Sequence, residues 1–228
     1  MSSVKGSGVR GNEGPRRPYQ SAVREESARR TRHAVVQAAH ELFTARGYAS
    51  TSLADIAAAA GVARPTAFAA FGSKPALLRQ VLDQAFAGDD EPIPVAQRPW
   101  FQPVWDATRP AAVLDAYARV CALINGRAAR IVEVTRRAAD QAPELGELWE
   151  TLQRNRRAGA RMVVEQAASR GPLAAGLDTD RATDIVWIFN DPALYDTLVS
   201  GCGWPEPDYT TWLSRQIRYA LLPSDRSA

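Results

Sequence analysis

Apolar residues recur at helical spacing through most of this chain and nowhere alternate over a useful length, which predicts an all-α protein. The first firm stripe is Val35, Ala39, Leu42 and Phe43, with Arg32, Gln37 and Glu41 lying off it. That helix starts near Ser21, is firm from Arg29 and ends at Gly47. Ser52 to Phe71 then reads SLADIAAAAGVARPTAFAAF. Ser52 and Asp55 have the spacing of a capping box, in which a serine oxygen takes an orphan N–H and a carboxylate reaches back. Leu53, Ile56, Ala57 and Ala60 share one face of the helix that follows. Gly61 frees the backbone for a turn, and Pro65 suits the first turn of a second helix, where a missing N–H costs nothing. Ser73 N-caps a further helix that carries Pro75, Leu77, Leu78, Val81, Leu82 and Ala85 to about Ala87. Two short helices joined by a glycine turn fit a helix-turn-helix, whose second helix enters the DNA major groove, and fit an ordinary helical hairpin equally well.

Prolines at 92, 94, 99, 103 and 110 interrupt the pattern, although Trp100, Phe101 and Trp105 carry too much aromatic surface for a free linker. Beyond them, Val113, Leu114, Tyr117, Val120, Cys121 and Ile124 form a stripe that Ile131, Val134 and Ala138 continue past Gly126, as one helix or two. Pro143 opens a helix with Leu145, Leu148, Trp149, Leu152, Gly159, Met162 and Val163 on one side. Arg154, Arg156, Arg157 and Arg161 occupy its other side and read as a solvated face. After Gly171, Pro172 and Gly176 a helix runs from about Thr179, breaks at Asp191-Pro192 and resumes to Val199. The last helix spans Asp208 to Leu221. The organisation expected is a flexible basic arm over 1–20, a helix-turn-helix domain over 21–88, a proline-rich connection over 89–110, a helical body over 111–222 and a tail over 223–228.

Composition narrows the chemistry. The chain has 228 residues, 46% hydrophobic and 23% charged, as a soluble globular protein does. Its net charge of +3 says little, but Lys5, Arg10, Arg16, Arg17, Arg24, Arg29 and Arg30 face only Glu13, Glu25 and Glu26 ahead of the candidate DNA motif. Beside a candidate DNA motif such an excess is the expected electrostatic footprint, although before about Tyr19 a solvated tail carrying no function is the better reading. Cys121 and Cys202 make no disulfide framework, and both histidines, His33 and His40, fall in the first helix. With no metal-ligand spacing, phosphate loop or nucleophile motif, the expectation is no metal, no cofactor, no catalytic residue and no enzyme. The absence of a secretory signal and of an apolar span predicts a cytoplasmic protein with no membrane partner.

A family resemblance joins these features. Arg32-x-x-Val35, Ala39, Leu42-Phe43, Gly47-Tyr48, Thr51-Ser52-Leu53, Ile56-Ala57, Ala60-Gly61-Val62, Thr66, Phe71, Ser73-Lys74 and Leu77-Leu78 resemble the TetR family N-terminal domain over about Arg29 to Asp89. Residues 111–222 are similar to that family's C-terminal domain in length and helical pattern, including the late Gly203-Trp204…Tyr209…Trp212-Leu213 stretch. The resemblance implies a small-molecule-responsive transcriptional regulator, usually a repressor, acting as a homodimer, and two-fold symmetry would demand a palindromic double-stranded DNA operator. It implies an all-α C-terminal domain holding the effector pocket and the dimer interface, for which Ile185–Val199 and Trp212–Leu221 are the candidate segments.

The family's pattern sets Thr51, Ser52, Thr66 and Lys74 against phosphates, while capping and solvation offer Thr51, Ser52 and Lys74 another role. Arg64 is the only long donor between Ala63 and Ala70, and its fork matches guanine O6 and N7. Pro65 adds shape and apolar contact, and Ala67 faces the module's own core. Phe68 stands where a tyrosine is usual, Ala70 where a histidine or tyrosine is usual, and Ala63 where a serine or threonine is common. Candidate effector-lining residues are Trp105, Tyr117, Cys121, Ile124, Trp149, Met162 and Trp187, with Asn125 as a polar anchor. Each fits core packing too, and together they suit a largely apolar or aromatic effector. The alternative function is a helical interaction or ligand-binding protein with weakened DNA binding.

Overall fold

The computed structural model describes residues 17–223, with side chains from Arg24 onward. The described residues are helices and their connections, with no strand among them. Of the arm and tail expected at the termini, residues 1–16 and 224–228 lie outside them, while residues 17–20 of the expected arm already belong to α1 (Arg17–Arg46). It is followed by α2 (Leu53–Ala59), α3 (Arg64–Phe71) and α4 (Lys74–Ala87). Residues 88–109 hold two single 3₁₀ turns and the short α5 (Gln102–Asp106). Then come α6 (Pro110–Ala138), α7 (Pro143–Arg170), α8 (Thr179–Phe189), α9 (Pro192–Tyr195) and α10 (Glu206–Leu221).

Local chemistry accounts for the boundaries. Ser52 Oγ accepts the Asp55 amide at 3.1 Å while Asp55 Oδ2 accepts the Ser52 amide at 2.9 Å, completing a capping box at α2. Ser73 caps α4, and Pro75, Pro110 and Pro143 stand in the first turns of α4, α6 and α7. Gly126 does not divide α6, which runs unbroken. A Cβ at that glycine would sit 3.2 Å from the Tyr195 hydroxyl and 3.3 Å from Glu206 Oε2, so the residue makes room for neighbouring segments. The resumption expected through Val199 is replaced by a wide π turn over Asp196–Gly201. The last helix begins at Glu206, two residues before the sequence suggested.

Two apolar cores organise these helices. One lies among α6, α7, α8 and α10, with Tyr209, Leu213, Ile217 and Leu221 of α10 fully buried. The other joins Val35, Phe43, Ile56, Ala67, Leu77 and Leu78 of α1–α4 with Ile131 and Val132 of α6 and Leu145, Leu148 and Leu152 of α7. Apolar packing therefore continues straight across the proline-rich connection.

Candidate DNA-reading surface and effector cavity

The turn between α2 and α3 uses Gly61 at φ 68° and closes with a hydrogen bond from the Val62 amide to the Ala57 carbonyl at 3.0 Å. Ala67 is fully buried and fixes the roll of α3. The opposite face presents Arg64, Pro65, Thr66, Phe68 and Ala69 outward, with Phe68 57% exposed. Arg32, which sequence reasoning named only as part of a motif, positions this helix. Its Nη1 donates to the Ala70 carbonyl at 2.6 Å, and its guanidinium lies 4.7 Å from the Phe71 ring centre. The Ala70 carbonyl belongs to the last turn of α3, where cationic donors are favoured.

Two residues expected at phosphates are instead turned inward. Thr51 is 1% exposed, and its hydroxyl lies 2.9 Å from the Gly47 carbonyl and 3.3 Å from the Leu42 carbonyl. Lys74 Nζ donates to the Tyr48 and Thr51 carbonyls, both at 2.9 Å, and sits 4.0 Å from the Tyr48 ring centre. Burial lowers its pKa. Both residues gather at the end of α1 and the turn after it, where carbonyls converge: the Tyr48 carbonyl also takes the Thr51 amide at 3.3 Å, and Lys74 and the Thr51 hydroxyl supply the further donors. Ser52 stays at the surface, its hydroxyl donating to Asp55 Oδ2 at 2.6 Å. That bond is the main reason the Asp55 carboxyl lies below its usual range.

A cavity of about 840 Å³ opens at the seam between the two cores. Leu82 and Phe86 of α4, Val95 of the connection, Ile124 of α6, and Leu148, Leu152 and Met162 of α7 supply apolar walls. Of the residues expected to line a pocket, Tyr117, Cys121, Ile124, Asn125 and Met162 do so. Trp105, Trp149 and Trp187 do not. Trp105 packs on the C-terminal core and donates its Nε1 hydrogen to the Ala96 carbonyl at 2.7 Å. Trp149 packs on the core beneath α1–α4, and Trp187 on the core around α8. An amphipathic helix buries bulky rings on either side of a cavity, so residue type alone does not assign a wall.

The polar lining also differs from expectation. Arg156 does not belong to a solvated face: its side chain is 5% exposed and reaches Asn190 Oδ1 at 2.8 Å, the Trp187 carbonyl at 3.1 Å and Gln153 Oε1 at 2.6 Å. Asn190 in turn donates to the Tyr117 hydroxyl at 3.0 Å. Burial drives the Cys121 thiol up to about 12 and the Tyr117 hydroxyl well above its usual value, so both line the cavity uncharged. The connection above is held by the buried Arg98, whose Nη1 lies 2.7 Å from both Asp89 oxygens, with Nη2 on the Glu91 carbonyl and Nε on the Ile93 carbonyl. Arg127 of α6 donates to the Phe86 carbonyl at 3.1 Å and stacks 5.4 Å from the Trp100 ring centre, tying the end of α4 to α6 and the connection.

The described residues thus pair a helix-turn-helix, supported by α1 and α4, with a helical body that holds a largely apolar cavity. Residues 35–81 match the model for bacterial regulatory proteins of the tetR family, and residues 111–213 match that of the tetracyclin repressor-like C-terminal domain. The chain belongs to the TetR family of DNA-binding, ligand-responsive transcriptional regulators. It is 28% identical over 181 residues to the HTH-type transcriptional regulator TtgR of Pseudomonas putida, an alignment spanning 73% of this chain and 80% of that protein. NalD, the secondary repressor of the MexAB-OprM multidrug efflux pump in Pseudomonas aeruginosa, shares the fold with a TM-score of 0.66 at 20% identity, over 88% of this chain and 100% of that one. SmeT in complex with triclosan superposes with a TM-score of 0.65 at 17% identity, over 87% of this chain and 94% of that one. No helix among the described residues is long and apolar enough to cross a membrane.

Proposed function

We propose that the protein is a cytoplasmic, non-enzymatic repressor that binds a palindromic operator as a homodimer and leaves it when a largely apolar or aromatic effector fills the cavity. The observation that carries this reading is the position of the cavity, with α4 as one wall. The same helix packs on α1 and α3, so a ligand that displaces Leu82 or Phe86 acts directly on the placement of α3. Any effector that binds the displaced arrangement better must weaken DNA binding by the same factor. The names of NalD, a repressor, and of SmeT, in complex with triclosan, support release by a small molecule.

In this reading Arg64 addresses a base edge, Pro65 and Phe68 contribute apolar contact, and Thr66 and Ser52 meet the backbone. Thr51 and Lys74 act by fixing the turn beneath them. One reading helix gives too little specificity alone, and a two-fold dimer doubles it on a palindrome. Ile188, at 62% exposure on α8, and Tyr219, at 84% on α10, lie on the faces that suit a dimer bundle.

The test is selection of binding sites from random duplexes by the purified protein, followed by mass measurement of the complex. The expected outcome is an inverted repeat bound by two chains. Failure to enrich any palindrome at low salt would overturn the reading and favour a helical ligand-binding protein with no operator.

A further inference from the structure

We propose that the effector is an amphipathic acid, an apolar or aromatic body bearing a carboxylate, and that Arg156 receives the carboxylate at the wall formed by α7 and the α8–α9 corner. The inference rests on the cavity being the effector site and adds the chemical class of what enters it.

The argument concerns an incompletely matched charge. A guanidinium keeps its proton in any protein environment and has five N–H donors. The three hydrogen bonds that Arg156 makes all go to neutral acceptors, on Gln153, Trp187 and Asn190. Its Nε is buried without a partner. The nearest carboxylate oxygen, Asp191 Oδ2, is 3.6 Å away on a side chain that is 43% exposed. Asp191 is also committed elsewhere, its Oδ1 accepting the Ala193 amide at 2.9 Å to cap α9. Neither Tyr117 nor Cys121 supplies negative charge, since burial keeps both protonated. A cation taken this far out of water needs an anion close by, or it weakens the fold that holds it.

Within the cavity the opposite wall is apolar, with Phe86 and Ile124 facing the space and Met162 on α7 beside it. Acidic groups lie on the α4 and connection side, Asp83 among them and Asp89 already paired with Arg98. Arg79 of α4 also lines the cavity but stands exposed to water near Asp83, so an acid is favoured with its body toward α4 and its carboxylate toward the buried Arg156. This couples the charge contact to displacement of the helix that supports the reading head.

Matched pairs of probes test it: 2-naphthoic acid against 2-naphthamide, and decanoic acid against decanamide, by calorimetry near neutral pH. At least one acid should bind the native chain about tenfold or more tighter than its amide, as a charge-assisted hydrogen bond replaces a neutral one. R156Q should reduce that ratio to near one while the amide still binds, and R156K should keep part of it. A purely structural Arg156 would weaken acid and amide alike, and that result overturns the proposal. So do equal affinities in the native chain, binding of neither pair, or an acid preference that survives in R156Q. If R156Q does not fold, the native ratio and R156K decide. Failure of this inference is separable from failure of the regulator reading. Operator release by the amide as readily as by the acid removes only the acid preference, whereas a chain that selects no palindrome fails before any ligand is added.

Discussion

Lys74 shows how the fold can absorb a side chain that looks suited to a phosphate. Its ammonium bridges two carbonyls of the α1–α2 turn, so K74M should cost about 1–3 kcal/mol of unfolding free energy, measured by denaturant titration, and leave the salt dependence of operator binding nearly unchanged. A steep loss of that salt dependence would return Lys74 to the phosphate backbone. Arg64 is the contrasting case, exposed on the outer face of α3. R64A should lose roughly 1–3 kcal/mol at one base position and relax selectivity there; an equal loss on every sequence would make it a phosphate contact. The sequence exposes the donors at residues 51, 64 and 74 but not which carbonyls the fold brings within their reach. For that reason the inward hydrogen bonds of Thr51 and Lys74 were not legible, while the exposed Arg64 keeps its expected base contact for the R64A measurement to decide. Arg156 was missed for a related reason, since one arginine in a run of four looks like the others until a core forms around it.

At the scale of elements, glycine marks what side-chain chemistry does not. The caps at Ser52 and Ser73 and the prolines opening α4 and α7 were legible, because each satisfies or dispenses with an orphan N–H, whereas Pro110, read as an interruption, in fact opens α6. The continuity of α6 was not, because a glycine that admits a neighbouring tyrosine is written the same way as one that ends a helix. Gly159 of α7 is a third kind: it lines the cavity, and a Cβ there would meet nothing within 4 Å. G159L should raise stability by up to about 1 kcal/mol through helix propensity, or roughly 2–4 °C in Tm. It should also block effector release while operator affinity persists. Normal release by G159L would mean that the effector binds elsewhere. On the same length scale, Arg136 and then Arg137 hold the Glu133 carboxyl at about 2, against an ordinary 4.5. Because the folded value is the lower one, this contribution is complete above pH 4.5 and disappears as pH falls toward 2. Native protein should therefore lose more stability than E133Q between about pH 6 and about pH 3, read from denaturant midpoints. Parallel losses would show that the pairs contribute nothing in solution.

For the molecule as a whole, the fold class and the helix-turn-helix were legible because amphipathic period and capping are local. The cavity was legible only in part, since its walls come from α4, the connection, α6 and α7, which no single stripe unites. Under the proposed function, its position between two cores would let a small ligand influence a distant reading head. The shared lower core has a further practical consequence. Ile131, Val132, Leu145, Leu148 and Leu152 complete the packing of α1–α4, so a gene fragment stopped at Gly88 would leave part of that core facing water. Such a fragment should show a less cooperative thermal transition than the full chain and bind hydrophobic dye; sharp, fully cooperative melting would contradict this. Anyone grafting this reading head onto another sensor should place the splice beyond Leu152, carrying the lower halves of α6 and α7 with it, and treat the proline-rich stretch as the wrong place to cut.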